Sequence, residues 1–314
     1  MRCLFAGTPA VALPALHALL QSRHEVIGVI TRPDAPAGRG RRMMASPVAT
    51  FAQDVGLPVF TPGRLAADEV VAQIVALAPD VCPVVAYGGL VPASLLAVPT
   101  HGWINLHFSL LPAFRGAAPV PWAIRSGERT TGASVFRIEE GLDTGPVFGR
   151  VTTVIGDRDT SGDLLDRLAN LGAPLLVRTI DALEGGTAIA VAQSTSGVSL
   201  APRLTAADAR IDWGTTAETV DRLIRAMSPA PGAWSILVGA GPEDARRITL
   251  GPVTLLPGFA LEPGIVEQVD GTVRVGTSGS AVVLGDVRPA GRRSMPATDW
   301  LRGRPAGDDP VRFA

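Results

Sequence analysis

The chain has 314 residues, 28 of them basic and 29 acidic, for a formal net charge of −1, and every basic residue is an arginine because no lysine occurs. That length accommodates two ordinary domains with a well-buried core. The charge balance excludes a global attraction to nucleic acid, so such a partner would have to be met by a local basic patch. Two cysteines, Cys3 and Cys82, each within a short apolar run, do not make a disulfide framework or a zinc site and are expected as buried free thiols. The opening apolar run breaks at Gly7-Thr8-Pro9 with only Arg2 before it, unlike a signal peptide. No stretch reaches the roughly 18 apolar residues of a membrane span, and a soluble, cytoplasmic protein is expected.

In chain order, apolar runs of strand length alternate with amphipathic ones: CLFAG, a helical pattern over 10–21, EVIGVI at 25–30, a second helical pattern over 46–55, DVCPVVAY at 80–87 and GWINLHF at 102–108. This alternation predicts βαβ units and an N-terminal α/β domain with a Rossmann-like, mostly parallel sheet. Functional groups in such sheets gather at the carboxyl ends of strands. GTPAVA, after the first run, lacks the second and third glycines of a dinucleotide fingerprint and is read as a tight turn. Two more β-like runs, 133–138 and 147–154, flank the turn Gly141-Leu-Asp143-Thr-Gly145. Residues 159–183 predict one or two helices with a Thr160 or Ser161 cap and Asp163 in the first turn. The small-residue stretch that follows lacks helical periodicity, which sets a linker at 189–207 between domains at 1–188 and 208–314. Past about residue 230, short runs punctuated by Gly and Pro point to a small barrel or sandwich.

Alternate side chains of a strand share a face, so Asn105 and His107 project together while Ile104, Leu106 and Phe108 fill the other side. Taken alone, His107 reads as a hydrogen-bonded core residue, and Asp143, between glycines, as a turn former. Together the amide, imidazole and carboxylate form a set able to manage a tetrahedral oxyanion without a covalent nucleophile. Asn105 donates to the developing oxygen, His107 donates or moves protons, and Asp143 orients the ring and favours its protonated form. Acyl transfer to an amine suits the set. Ser109 is a poorer choice of nucleophile, because no Gly-x-Ser-x-Gly elbow surrounds it and Pro112 follows in what reads as a binding turn.

The pattern Asn105-x-His107-x-Ser109-Leu-Leu-Pro-x-x-Arg115-Gly116, followed by Gly141-Leu-Asp143-Thr-Gly145, resembles the folate-dependent formyltransferases. The resemblance implies 10-formyltetrahydrofolate as formyl donor, Asn105, His107 and Asp143 as the catalytic group, and no metal. LFAGTPAVALPAL, TRPDAPAGRGRRMMASPV and LTAADARIDW are similar, in order and spacing, to the branch that acts on methionyl-tRNA. In that branch the loop corresponding to 31–47 enters the acceptor arm of initiator methionyl-tRNA, and a C-terminal OB-type β-barrel, here about 208–314, holds the tRNA backbone. Arg39, Arg41 and Arg42 are then the tRNA contacts, with Arg32 in the same cluster. Arginine stands where the family often carries lysine, both in this loop and at RPAGRR, which keeps the attraction to phosphate but changes the finer contacts. The donor's pterin is expected between residues 84–92 and the turn Ser109, Leu110, Leu111, Pro112. Three alternatives remain. A sugar-nucleotide N-formyltransferase would keep the three residues without needing the arginine-rich loop, a noncatalytic RNA-binding protein would carry its function in the barrel, and a folate hydrolase would break down the donor without tRNA. Neither a membrane nor an obligate protein partner is expected.

Overall fold

Strand β1 (Arg2–Gly7) is buried from Cys3 onward, the fate of a short apolar run at the centre of a parallel sheet covered on both faces. The computed structural model describes residues 1–37, 42–238, 246–303 and 311–314. The chain divides into two units, one holding 1–119, 130–154 and 165–202, the other 120–129, 155–164 and 203–314.

After β1 come α1 (Leu13–Leu20), β2 (Glu25–Ile30), a hairpin of β3 (Ala35–Ala37) and β4 (Arg42–Met44), α2 (Pro47–Asp54), β5 (Val59–Phe60), α3 (Asp68–Leu77), β6 (Cys82–Val85), α4 (Ala93–Leu96), β7 (Trp103–His107), α5 (Pro119–Ser126), β8 (Thr130–Arg137), β9 (Val147–Val154) and α6 (Ser161–Glu184). The seven-stranded sheet has the order β5-β2-β1-β6-β7-β8-β9. Strands β5 through β7 are parallel, and β8 and β9 extend the sheet antiparallel. The direction of strand addition reverses between β1 and β6, and in open α/β sheets ligands bind outside the carboxyl ends at such a reversal. There Thr8 Oγ1 donates to the Tyr87 carbonyl at 2.8 Å.

Local chemistry explains the helix starts. Ser46 caps α2 by accepting from Ala49 N–H at 3.0 Å, with Pro47 at the first helical position. Thr160 and Asp163 exchange side-chain bonds at the head of α6, since Asp163 Oδ2 accepts from Thr160 N–H and Oγ1 and Thr160 Oγ1 accepts from Asp163 N–H. The stretch expected as one or two helices is thus a single 24-residue helix with Pro174 inside it. Cys3 and Cys82 are buried free thiols, and burial pushes the Cys3 pKa up to about 12. No helix among the described residues is long and apolar enough to cross a membrane.

The second unit adds α7 (Ala217–Ala226), β10 (Trp234–Val238), β11 (Arg246–Leu250), β12 (Thr254–Leu256), β13 (Val266–Val269), β14 (Thr272–Thr277), β15 (Ser280–Val283), β16 (Asp286–Pro289), β17 (Met295–Pro296), α8 (Ala297–Arg302) and β18 (Arg312–Phe313). These strands form antiparallel sheets of order β17-β16-β11-β10-β18 and β12-β15-β14-β13. Among the described residues an isolated bridge, Ile265 to Arg312, links them, and no ladder closes them into a barrel. Phe313 stacks between two indoles in their core, 5.5 Å from Trp213 and 6.0 Å from Trp300 between ring centroids.

Candidate active site

Strand β7 carries Asn105 and His107 to the carboxyl edge of the sheet, beside β6 at the reversal point. Asn105 pairs with Val84 of β6 and Phe136 of β8, and His107 with Ser134. Leu106 points to the opposite face, where it meets α6 so closely that a Cβ on Gly172 would lie 2.8 Å from its side chain. The side-chain amide of the half-buried Asn105 has no hydrogen-bond partner among the described residues, which leaves its donor and acceptor to water or a ligand.

His107 is 5 % exposed. Its Nε2 lies 2.9 Å from the Phe114 carbonyl oxygen, and because a carbonyl only accepts, Nε2 carries the hydrogen. Nδ1 is therefore the ring nitrogen left to take a proton. It lies 3.7 Å from Asp143 Oδ2, too far for a hydrogen bond and close enough for a strong charge interaction. Burial holds the ring pKa below the ordinary histidine value, against the upward pull of Asp143 and the Phe114 carbonyl. Asp143 pulls the ring towards its protonated form, as expected, and desolvation of the cation outweighs that pull.

Asp143 sits in a left-handed conformation, φ +50°, inside a turn whose Gly145 admits no Cβ because the Arg137 carbonyl occupies that space. Its Oδ2 accepts from Gly116 N–H at 2.7 Å. Three of the five non-glycine residues with positive φ among those described, Ala86, Phe114 and Asp143, lie around this edge of the sheet.

The turn after β7 divides its residues between structure and surface. Ser109 is fully buried, and its hydroxyl donates to the Ala113 carbonyl at 2.6 Å while its own carbonyl accepts from Ser134 Oγ at 2.7 Å. That hydroxyl is committed to the turn, which removes the nucleophile reading. Leu111 is buried with Phe136 and Val147, and its carbonyl accepts from Arg150 Nε and Nη2 at 3.2 and 3.0 Å. Leu110 and Pro112 are half-buried and give the turn its accessible apolar surface.

Of the loop arginines, Arg42 opens β4 and is exposed, whereas Arg39 and Arg41 lie outside the described residues. Arg32 Nη1 donates to the Gly88 carbonyl at 2.9 Å, tying the loop's start to the 84–92 segment. Two residues around the site had no sequence signal beyond their type. They are Arg150, 39 positions from the carbonyl it holds, and Gln193, a lone amide in the stretch read as a linker, which bonds to Arg115 and to the Asp143 turn. A cavity of about 270 Å³, walled by Ile30, Phe60, Val70 and Ile74 among others, contains none of these groups.

The model described as formyl transferase matches residues 1–180, and its companion for the formyl transferase C-terminal domain matches 203–305. The chain belongs to the formyl transferase family. It is 56% identical over 304 residues to the methionyl-tRNA formyltransferase of Salinispora arenicola, covering 96% of this chain and 97% of that one. Against the methionyl-tRNA formyltransferase of Frankia alni it is 54% identical over 320 residues, covering 100% and 95%. Its fold is similar to that of HypX from Aquifex aeolicus in complex with tetrahydrofolic acid, with a TM-score of 0.68 at 17% identity, covering 100% of this chain and 51% of that larger one.

Proposed function

We propose that this chain transfers the formyl group of 10-formyltetrahydrofolate to the α-amino group of methionyl-initiator tRNA. One observation carries the chemistry: an unpaired Asn105 amide and a neutral His107, with the Asp143 carboxylate beside it, meet at the carboxyl edge of the sheet in a chain of this family. The acceptor follows from relatives above 50% identity along nearly the whole chain that bear the methionyl-tRNA name.

The residues present fit the donor, since the apolar surfaces of Leu110 and Pro112 lie in sequence beside Asn105 and suit a flat heteroaromatic ring. Bound there, the donor supplies an activated formyl carbon. The amine nitrogen forms the new C–N bond, and the formyl oxygen takes up the negative charge. Asn105 donates to that oxygen, a bond that strengthens as charge develops. His107, neutral with Nδ1 free, takes the proton the amine loses, and Asp143 stabilises the resulting cation. Collapse of the adduct breaks the bond to N10, which regains a proton as tetrahydrofolate leaves, so atoms and charge balance.

For the tRNA, exposed Arg42 on the 31–47 hairpin offers a phosphate contact, and Arg39 and Arg41 extend the same basic run in sequence. In the second unit, strand register puts Trp234, Arg247 and Arg288 on one outward face, with Arg210 and Arg247 against the Trp234 ring at 5.9 and 4.3 Å. This cationic face suits an RNA backbone, and an OB-type arrangement over 208–314, following a catalytic domain at 1–188 and a linker at 189–207, is our reading of the chain's organisation. The reaction puts the protein with the translation machinery of the cytoplasm. Formyl transfer with charged initiator tRNA, charged elongator tRNA and an amino-sugar nucleotide as parallel acceptors tests the proposal. Rapid formylation of the initiator alone is expected, and transfer only to the sugar would overturn the acceptor.

A further inference from the structure

We infer that Gln193 is a positioning residue for formyl transfer, acting through Asp143 by holding its turn in the conformation that brings the carboxylate to His107. Its amide nitrogen donates to the Asp143 and Gly145 carbonyls at 2.7 and 2.8 Å. Its amide oxygen accepts from Arg115 Nη2 and Nε at 2.7 and 3.1 Å. Two donors on one atom and an acceptor on the other are what this placement requires, and only a carboxamide supplies both.

The turn it grips is the strained one. Asp143 is left-handed, a conformation uncommon for a residue with a side chain and tolerated by Asp better than by most, and the two carbonyls bound by Gln193 belong to that residue and to Gly145. Arg115, the other partner, precedes Gly116, whose N–H binds the Asp143 carboxylate. Gln193 thus joins the backbone that carries the carboxylate to the segment that receives it. Its own segment is anchored separately: Val191 and Val147 exchange both backbone hydrogen bonds at 2.8 and 2.9 Å, and Arg115 N–H donates to the Ser199 carbonyl at 2.9 Å. Losing the side chain therefore leaves the segment in place and frees the turn.

This inference rests on the proposed reaction, and its test separates the two. The Gln193→Leu variant is expected to lose tenfold or more in kcat while KM for the folate donor and for charged tRNA stays within threefold. Gln193→Glu, which keeps the acceptor toward Arg115 and sets a carboxylate oxygen against two carbonyls, is expected to do no better. Gln193→Asn, withdrawn by one methylene, serves as a second variant should Leu fail to fold. In an Asp143→Asn background the further loss on adding Gln193→Leu is expected to stay within twofold, because both changes remove one coupling. The ring 15N resonances of His107, one of four histidines, should move in Gln193→Leu without substrate, a readout independent of the acceptor. An unchanged His107 signal, a kcat within twofold of the parent, or losses that multiply in the double variant would each overturn the inference. If the parent protein fails to formylate charged tRNA, the proposed function falls, and the His107 signal alone decides the role of Gln193.

Discussion

Replacing Asp143 with Asn removes a charge while retaining an oxygen able to accept from Gly116 N–H. At 3.7 Å from His107 Nδ1, a full charge pair is worth about 1 kcal/mol in a water-like medium and about 4 kcal/mol at the effective dielectric of a protein surface. The two side chains are 6 % and 16 % exposed, which favours the upper part of that range. If His107 becomes cationic as the amine attacks, the barrier rises by the same amount, a loss of roughly fivefold to a thousandfold in rate. Single-turnover formyl transfer with saturating donor and charged tRNA, followed across pH, reads both consequences. The plateau should fall by that factor. Since a neighbouring negative charge raises an imidazole pKa, its removal should also move the acidic limb to lower pH. A plateau within twofold of the parent, or a limb moving upward, would refute the reasoning.

Arg150→Met removes both charged hydrogen bonds to the Leu111 carbonyl and should raise KM for the folate donor about tenfold, taking the two bonds together at about 1.4 kcal/mol after partial replacement by water, with KM for tRNA unchanged in the same steady-state assay. Arg42→Ala should raise KM for charged tRNA and reduce the slope of log affinity against log salt by about 1, as expected for one lost phosphate contact and measurable by titration at several salt concentrations. His24 and His107 both have pKa values held below the ordinary one by burial, so below about pH 6.5 the unfolded chain binds more protons than the folded one. Stability should fall as pH drops from there towards the folded-state values and level off beneath them, read as a declining urea midpoint that His107→Asn makes shallower.

Much of the site was legible because strand periodicity is a local property. The interval of two between Asn105 and His107 sufficed to put them on one face, and the glycines around Asp143 marked a turn between strands. The elements that escaped are those without room for a period: β5 has two residues, α4 four, and β3 and β4 three each, so the 31–47 stretch read as a plain loop. Arg150 and Gln193 escaped for a different reason. Each is an ordinary polar residue until the chain folds and sets it against a carbonyl 39 or 50 positions away. The net protonation of His107 depends on how much water packing excludes, a quantity that a strand of alternating residues does not encode.

Asp143 answers two demands with one side chain. Its backbone occupies the left-handed region, where Asn and Asp are the side-chain-bearing residues accommodated most readily, and its carboxylate is the charge beside His107. Glutamate would satisfy the second demand and violate the first, so an exchange usually ranked as conservative acts here on the main chain. Glycine and asparagine would do the reverse, easing or preserving the turn while discarding the acid. Drift at this position is hemmed in from two unrelated directions, and in other sequences an aspartate between glycines at the same spacing carries more weight as a marker than a carboxylate of either kind.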